Sequence, residues 1–167
     1  VAFAVSGAIV GIKKQMDLFG VIVLGICPAV GGGIGWLSEL ERARRVQSIR
    51  EVGGIMNGTS NFIMDAMHKA PVDFPAILKE AQDLGYAEAD PSADIDGDDI
   101  RRKLCISANI AFDAALEETA IPTFGIRTVT AADIAAFPSH GFACKLLARA
   151  ESTDSGVCAY MAPTLAD

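Results

Sequence analysis

Residues 85–103 read GYAEADPSADIDGDDIRRK and place six carboxylates, Glu88, Asp90, Asp94, Asp96, Asp98 and Asp99, within 12 positions. Like charges that close repel one another unless a cation or water lies among them. Three readings compete. In the first, the acids sit in a solvated loop and cap the next helix, where negative charge at the N-terminus is favourable. In the second, the run Asp94 to Asp99 imitates a calcium loop. Its glycine, however, stands fourth rather than sixth, and Cys105 takes the twelfth position, which rejects an EF-hand. In the third, the carboxylates converge on an ammonium group and Lys103 supplies proton chemistry. Asp99 and Lys103 are i and i+4 on the expected helix and share a face. A lysine held beside a carboxylate can take a proton from a hydroxyl or return one to a carbonyl. On this spacing alone an ordinary surface ion pair is the simpler account.

The flanking sequence sets the frame. Upstream, a helix is expected over Phe74 to Leu84, stopped at Gly85. Asn57-Gly58-Thr59-Ser60 is a turn and helix-start signal ahead of Phe62, Ile63, Met64 and Met67, with Thr59 a candidate N-cap. Ile49 to Met56 reads as a strand. Ile34, Leu37, Leu40 and Ala43 have helical spacing, with Glu39, Glu41, Arg42, Arg44 and Arg45 facing out. Downstream, a helix is expected from Asp99 to Ala115, and Thr130 is an N-cap for Ala131 to Phe137. Phe142 to Ala150 and Gly156 to Met161 read as antiparallel strands joined through Ser152 to Ser155. Ahead of all this come a strand-like run over residues 1–11, a short helix over 10–18, a buried strand over 21–26 and a glycine-rich turn over 27–35. The expected class is α+β (α/β), one unit spanning residues 1–167.

Composition agrees. A chain of 167 residues that is 51% apolar and 21% charged can bury a sizeable core and is one domain or a piece of a longer protein. A net charge of −7 argues against a nucleic-acid partner. Cys27, Cys105, Cys144 and Cys158 show no CxxC spacing, which predicts buried, reduced thiols in a cytoplasmic protein and no zinc site. The 21 positions from Leu18 to Ser38 lack charge, the length of a membrane span. Six glycines and Pro28 in that run favour a buried strand followed by a backbone turn.

At this point the residues resemble a known family. The order G-Y-x-E-x-D-P-x-x-D-I-x-G-x-D-x-x-x-K over Gly85 to Lys103 is similar to the signature of homoserine dehydrogenases. AVGGGI (29–34), GGIMNGTSNFIM (53–64), VTAADI (129–134), KLLARA (145–150) and APTL (162–165) fit the same family in order and approximate spacing. The resemblance implies a catalytic and substrate-binding domain, a mixed β-sheet with helices on one side, which partners a Rossmann domain not contained in this chain. It implies NAD(P)-dependent interconversion of L-homoserine and L-aspartate-4-semialdehyde; apolar content and an open sheet lead us to expect a homodimer, and the glycines and proline of the charge-free run no membrane partner. Lys103 and Asp99 would be the catalytic pair. Glu88, Asp94 and Tyr86 would contact the substrate's ammonium and polar groups, and Gly58 and Thr59 would meet the substrate or the cofactor through backbone N–H groups. Backbone carbonyls of Cys27, Val30, Gly32 and Ile34 would hold Na+ or K+.

The sequence also departs from the family. No G-x-G-x-x-G heads a strand. Ser6 stands where a lysine that contacts cofactor and substrate is usual, and Cys27 replaces an acidic residue. The chain thus reads as the catalytic middle of a longer enzyme, inactive when isolated. Two rivals remain: a non-catalytic, amino-acid-binding or oligomerising descendant, and a membrane-anchored module built on Leu18 to Ser38.

Overall fold

A computed structural model describes residues 33–70, 72–136 and 141–166 of the chain. The elements expected over residues 1–26 and the sites at Ser6, Cys27, Val30 and Gly32 lie outside them. The described elements run α1 (Gly33–Val46), β1 (Glu51–Gly54), α2 (Gly58–Lys69), α3 (Phe74–Asp83) and the single turn α4 (Ser92–Ile95). They continue with α5 (Asp98–Phe112), a short 3-10 turn (Glu118–Ala120), α6 (Ala131–Ala135), β2 (Ala143–Thr153) and β3 (Gly156–Ala166). Among the described residues the sheet has the order β1-β2-β3. Both strand pairs are antiparallel, and the parallel component expected of a mixed sheet is the isolated bridge between Thr123 and Met161. The α+β class holds.

Alternation along β2 buries Cys144, Leu146, Ala148 and Ala150, the period of a half-buried strand. Val52 of β1 and Met161 of β3 pair with Ala150 and Ala148 and extend that face. Against it pack α2, through Ser60, Ile63, Met64 and Met67, and α5, through Ile100, Leu104, Ser107, Ala108 and Ala111. Both sets have helical spacing. The opposite face keeps its charges wet: Arg149 pairs with Glu51 at 2.9 Å and Glu151 at 3.6 Å. Further along α5, Trp36 Nε1 of α1 donates to Ser107 Oγ at 2.8 Å, and Leu40 joins Val52 and Ala111 in a second small core.

Several boundaries differ from expectation for local reasons. α3 ends as read, with Gly85 left-handed at φ 78°. α5 stops at Phe112 rather than Ala115 because Asp113 adopts φ 53°, and the Asn109 amide captures both backbone groups of Leu116. β3 continues five residues beyond Met161 despite Pro163, which an edge strand tolerates. The stretch taken as an acidic loop contains α4. The thiols also differ from expectation: Cys105 and Cys144 are buried but Cys158 is exposed. Burial pushes both buried thiols above their ordinary value, with the Glu118 charge adding to the effect at Cys105 and Asp133 at Cys144.

Candidate active site

Two helix starts meet at one point beside the sheet. β1 crosses β2 so closely that a Cβ on Gly53 would stand 2.5 Å from the Ala148 carbonyl oxygen; glycine there lets the strand deliver Met56 and Asn57 to the head of α2. Asn57 is the N-cap of α2, its side-chain oxygen accepting from the Ser60 N–H at 2.8 Å. Thr59 is therefore not the cap. Its buried hydroxyl instead donates to the Tyr86 carbonyl at 2.8 Å and ties the acidic stretch to α2.

The acidic stretch is folded by its own side chains. Tyr86 and Ala87 both donate backbone N–H groups to the Ala81 carbonyl, turning the chain back from α3. Asp90 Oδ1 accepts from the Ser92 N–H and hydroxyl, at 3.2 and 2.6 Å, and sets up α4. Asp96 takes a two-pronged contact from Arg127, at 2.9 and 2.8 Å. Bonds from Ser92 hold the Asp90 carboxyl below its ordinary value, and the guanidinium of Arg127 does so for Asp96. Gly97 follows in the left-handed region at φ 92°, where a Cβ would stand 2.1 Å from Met161 Cε. Only glycine fits that approach and that conformation, and α5 starts there. Asp98 pairs with Arg101, which also reaches Glu118.

α5 then projects Asp99 and Lys103 toward the head of α2. Lys103 Nζ donates to Asp99 Oδ2 at 2.6 Å and to the Met56 carbonyl at 3.1 Å. Asn57 Nδ2 donates to the same Asp99 oxygen at 3.1 Å and to Asp94 Oδ1 at 2.6 Å. The Lys103 and Asp99 side chains are 47% and 32% exposed, so the pair is open to a small molecule. Lys103 has one ammonium donor beyond these two bonds, and each carboxylate keeps an oxygen that Asn57 does not occupy.

The structure thus unites Asp94, Asp99 and Lys103. Gly58 is exposed at the first position of α2, and a Cβ there would meet nothing within 4 Å. Its N–H and that of Thr59 have no acceptor among the described residues. Tyr86 is exposed, its ring stacked on Phe62 at 4.5 Å. Glu88 is exposed and is not drawn into the cluster; its backbone carbonyl is held by Gln82. Ile34 lies in the first turn of α1. Among the described residues no group of three or more His, Cys, Asp or Glu is placed to hold a metal ion. No described helix is long and apolar enough to cross a membrane. A groove of about 310 Å³ lined by Ala66, Lys69, Val72, Ile77 and Glu80 shares no residue with the cluster.

Two participants escaped the sequence reading. Asn57 was legible as part of a helix start, but its bonds to residues 37 and 42 positions away leave no local trace. The Met56 carbonyl carries no side-chain signature at all.

Comparison with known proteins fits this geometry. Residues 36–167 match a family model described as Homoserine dehydrogenase. Residues 1–35 match one described as Glycine transporter. The chain is 44% identical over 140 residues to the homoserine dehydrogenase of Synechocystis sp., covering 84% of this chain and 32% of that protein. Against the homoserine dehydrogenase of Bacillus subtilis it is 38% identical over 137 residues, covering 82% and 32%. It is also similar to the crystal structure of a homoserine dehydrogenase from Thiobacillus denitrificans, with TM-score 0.76 and 40% identity over 80% of this chain and 31% of that one. The chain spans about a third of the length of these curated relatives.

Proposed function

The chain belongs to the homoserine dehydrogenase family, and from that premise we propose that it is the catalytic and substrate-binding part of an enzyme interconverting L-homoserine and L-aspartate-4-semialdehyde with NAD(P). The observation that carries the reading is the shared Asp99 oxygen, held between the Lys103 ammonium and the Asn57 amide at an exposed position. The substrate's chemistry suits what surrounds it. Its ammonium finds the second oxygen of Asp94, with Glu88 and Tyr86 on the same stretch. Its carboxylate finds the Gly58 and Thr59 N–H groups at the positive end of α2. The open space at Gly58 Cβ supports close approach there, since the fold itself does not demand glycine at that position. Lys103, as the amine, takes the hydroxyl proton, and Asp99 orients it. The Met56 carbonyl fixes the lysine from the other side.

NAD(P) supplies the hydride acceptor when bound. The described residues form no glycine-rich strand-to-helix turn for a pyrophosphate and do not fit a dinucleotide by themselves, so the proposal assigns them the substrate and the proton. A nucleotide-binding domain, a Ser6 contact to the cofactor and a Na+ or K+ ion at the carbonyls of Cys27, Val30, Gly32 and Ile34 belong to the same proposal and rest on the family resemblance; a homodimer and a cytoplasmic setting belong to it too and rest on the apolar content and the cysteine spacing. L-homoserine titrated calorimetrically into the chain is the test. Saturable binding that Asp94→Ala abolishes is expected; a folded chain without binding means that the site needs its cofactor half or has decayed.

A second reading concerns residues 1–35 alone. The Glycine transporter match over residues 1–35 and the charge-free run that begins at Leu18 support a membrane-associated segment there, although the run's last residues, 33–38, belong to α1. Co-sedimentation of the chain with phospholipid vesicles, lost when residues 1–35 are deleted, is its expected result; equal behaviour of both chains refutes it.

A further inference from the structure

The Asn57 side chain uses its whole hydrogen-bonding capacity. Its Oδ1 accepts from the Ser60 N–H at 2.8 Å and from the Ser60 hydroxyl at 3.0 Å. Its Nδ2 donates to Asp94 Oδ1 at 2.6 Å and Asp99 Oδ2 at 3.1 Å. Two donors and two acceptors are all an amide has. The residue is 8% exposed and Ser60 is fully buried. The orientation is fixed by chemistry: a flipped amide would set its oxygen against two carboxylates and its NH2 against a backbone N–H. Helix capping alone needs only the oxygen, and serine or aspartate would provide it equally well. The NH2 half is in excess of what the fold requires.

We infer that Asn57 is a positioning residue for the proposed reaction, its buried amide bridging the substrate-binding carboxylate of Asp94 to the catalytic-pair carboxylate of Asp99. The inference rests on the reading of this site as a homoserine site. Two carboxylates on neighbouring elements repel one another, and one neutral NH2 with a proton for each holds both without adding charge. The bridge fixes the direction in which Asp94 presents its remaining oxygen and the direction in which Asp99 holds Lys103. It also shares the Asp99 oxygen with Lys103. An aspartate at position 57 would keep the cap but replace the bridge with a third negative charge.

The test compares Asn57→Ser, Asn57→Asp and Asn57→Ala in the full chain by thermal unfolding and by L-homoserine titration. Serine, which keeps the cap and adds no charge, is expected to hold the unfolding midpoint near that of the unmodified chain while lowering homoserine affinity on the order of 10–100-fold, the worth of hydrogen bonds to charged groups. Aspartate is expected to lower affinity at least as far and to lower the midpoint too, because its charge faces Asp94 and Asp99. Unchanged affinity in both variants, with only Asn57→Ala destabilised, would reduce Asn57 to a helix cap and overturn the inference. A second readout needs no substrate. In the nuclear magnetic resonance spectrum of the chain, one Asn57 side-chain NH2 proton should shift in Asp94→Ala and the other in Asp99→Ala. If neither proton responds, the bridge does not exist. If both respond while no form of the chain binds homoserine, the bridge stands and the substrate assignment fails.

Discussion

The five aspartates between residues 90 and 99 are alike in chemistry and neighbours in sequence, yet they divide into two sets. Asp90, Asp96 and Asp98 turn to Ser92, Arg127 and Arg101. Asp94 and Asp99 turn to Asn57 and, through Asp99, to Lys103. The first set builds the ground on which the second stands: Asp90 starts α4, Asp96 clamps the segment ending at Arg127, and Gly97 then aims α5. What separates the sets is where each partner lies. An aspartate whose partner is a neighbouring hydroxyl or a guanidinium serves the fold; one that shares an amide with a second carboxylate near an exposed lysine is, on the proposed reading, the one that serves a ligand.

The comparison can be broken at its sharpest point by Lys103→Ala. In an enzyme carrying this segment, turnover should fall on the order of 10²–10⁴-fold, the usual worth of a positioned proton-transfer group. The unfolding midpoint should hardly move, because a half-exposed ion pair contributes only about 0–1 kcal/mol. Near-normal turnover would place Lys103 with the fold-serving residues. Next in size is Gly97→Ala, which forces a side chain into the left-handed region and against Met161. A loss of about 1–3 kcal/mol, the usual cost of such strain, should appear in urea unfolding, with homoserine binding weakened because α5 carries both Asp99 and Lys103. Wild-type stability would mean that the helix start is more forgiving than the geometry shows.

Asp96→Asn and Asp94→Asn sharpen the contrast at equal chemistry. Asp96→Asn should cost stability, about 0.5–1 kcal/mol for a two-pronged but partly exposed pair, and leave homoserine affinity alone. Asp94→Asn should do the reverse. The smallest effect is in pH. Arg127 depresses the Asp96 carboxyl in the folded chain, so the stabilisation is present above the unfolded value, about 3.9, and lost as pH falls through the lower folded value. Between about pH 5 and pH 2.5 the drop in urea midpoint should be steeper in the unmodified chain than in Arg127→Gln. Equal slopes would show that the clamp contributes nothing.

The same division explains what the sequence reading could and could not reach. Local devices were legible. Gly85 ends α3, and Thr130 caps α6 with Asp133 completing a capping box, because each needs only residues within a turn of itself. The i, i+4 meeting of Asp99 and Lys103 was legible for the same reason. α4 was missed because one helical turn after Pro91 has no periodicity to show. Asn57 and the Met56 carbonyl were missed because their partners lie tens of residues away and the sheet brings them together. Capping by Thr59, one of two readings held for it, gives way to Asn57 two positions earlier, and the Thr59 hydroxyl ties to the Tyr86 carbonyl instead. Glu88 was placed beside Asp94 by the family resemblance, and the fold leaves its side chain exposed, outside the Asn57-centred cluster.

The account's central claim is that Asp94, Asp99 and Lys103 at the head of α2 form an amino-acid site. L-homoserine titrated into the isotopically labelled chain, followed by the backbone and side-chain resonances, tests it most directly. The account predicts that the largest shifts fall on the Gly58 and Thr59 N–H groups and on Asp94, Asp99 and Lys103. Shifts centred instead on the groove between α2 and α3, at Ala66, Val72 and Ile77, would contradict it.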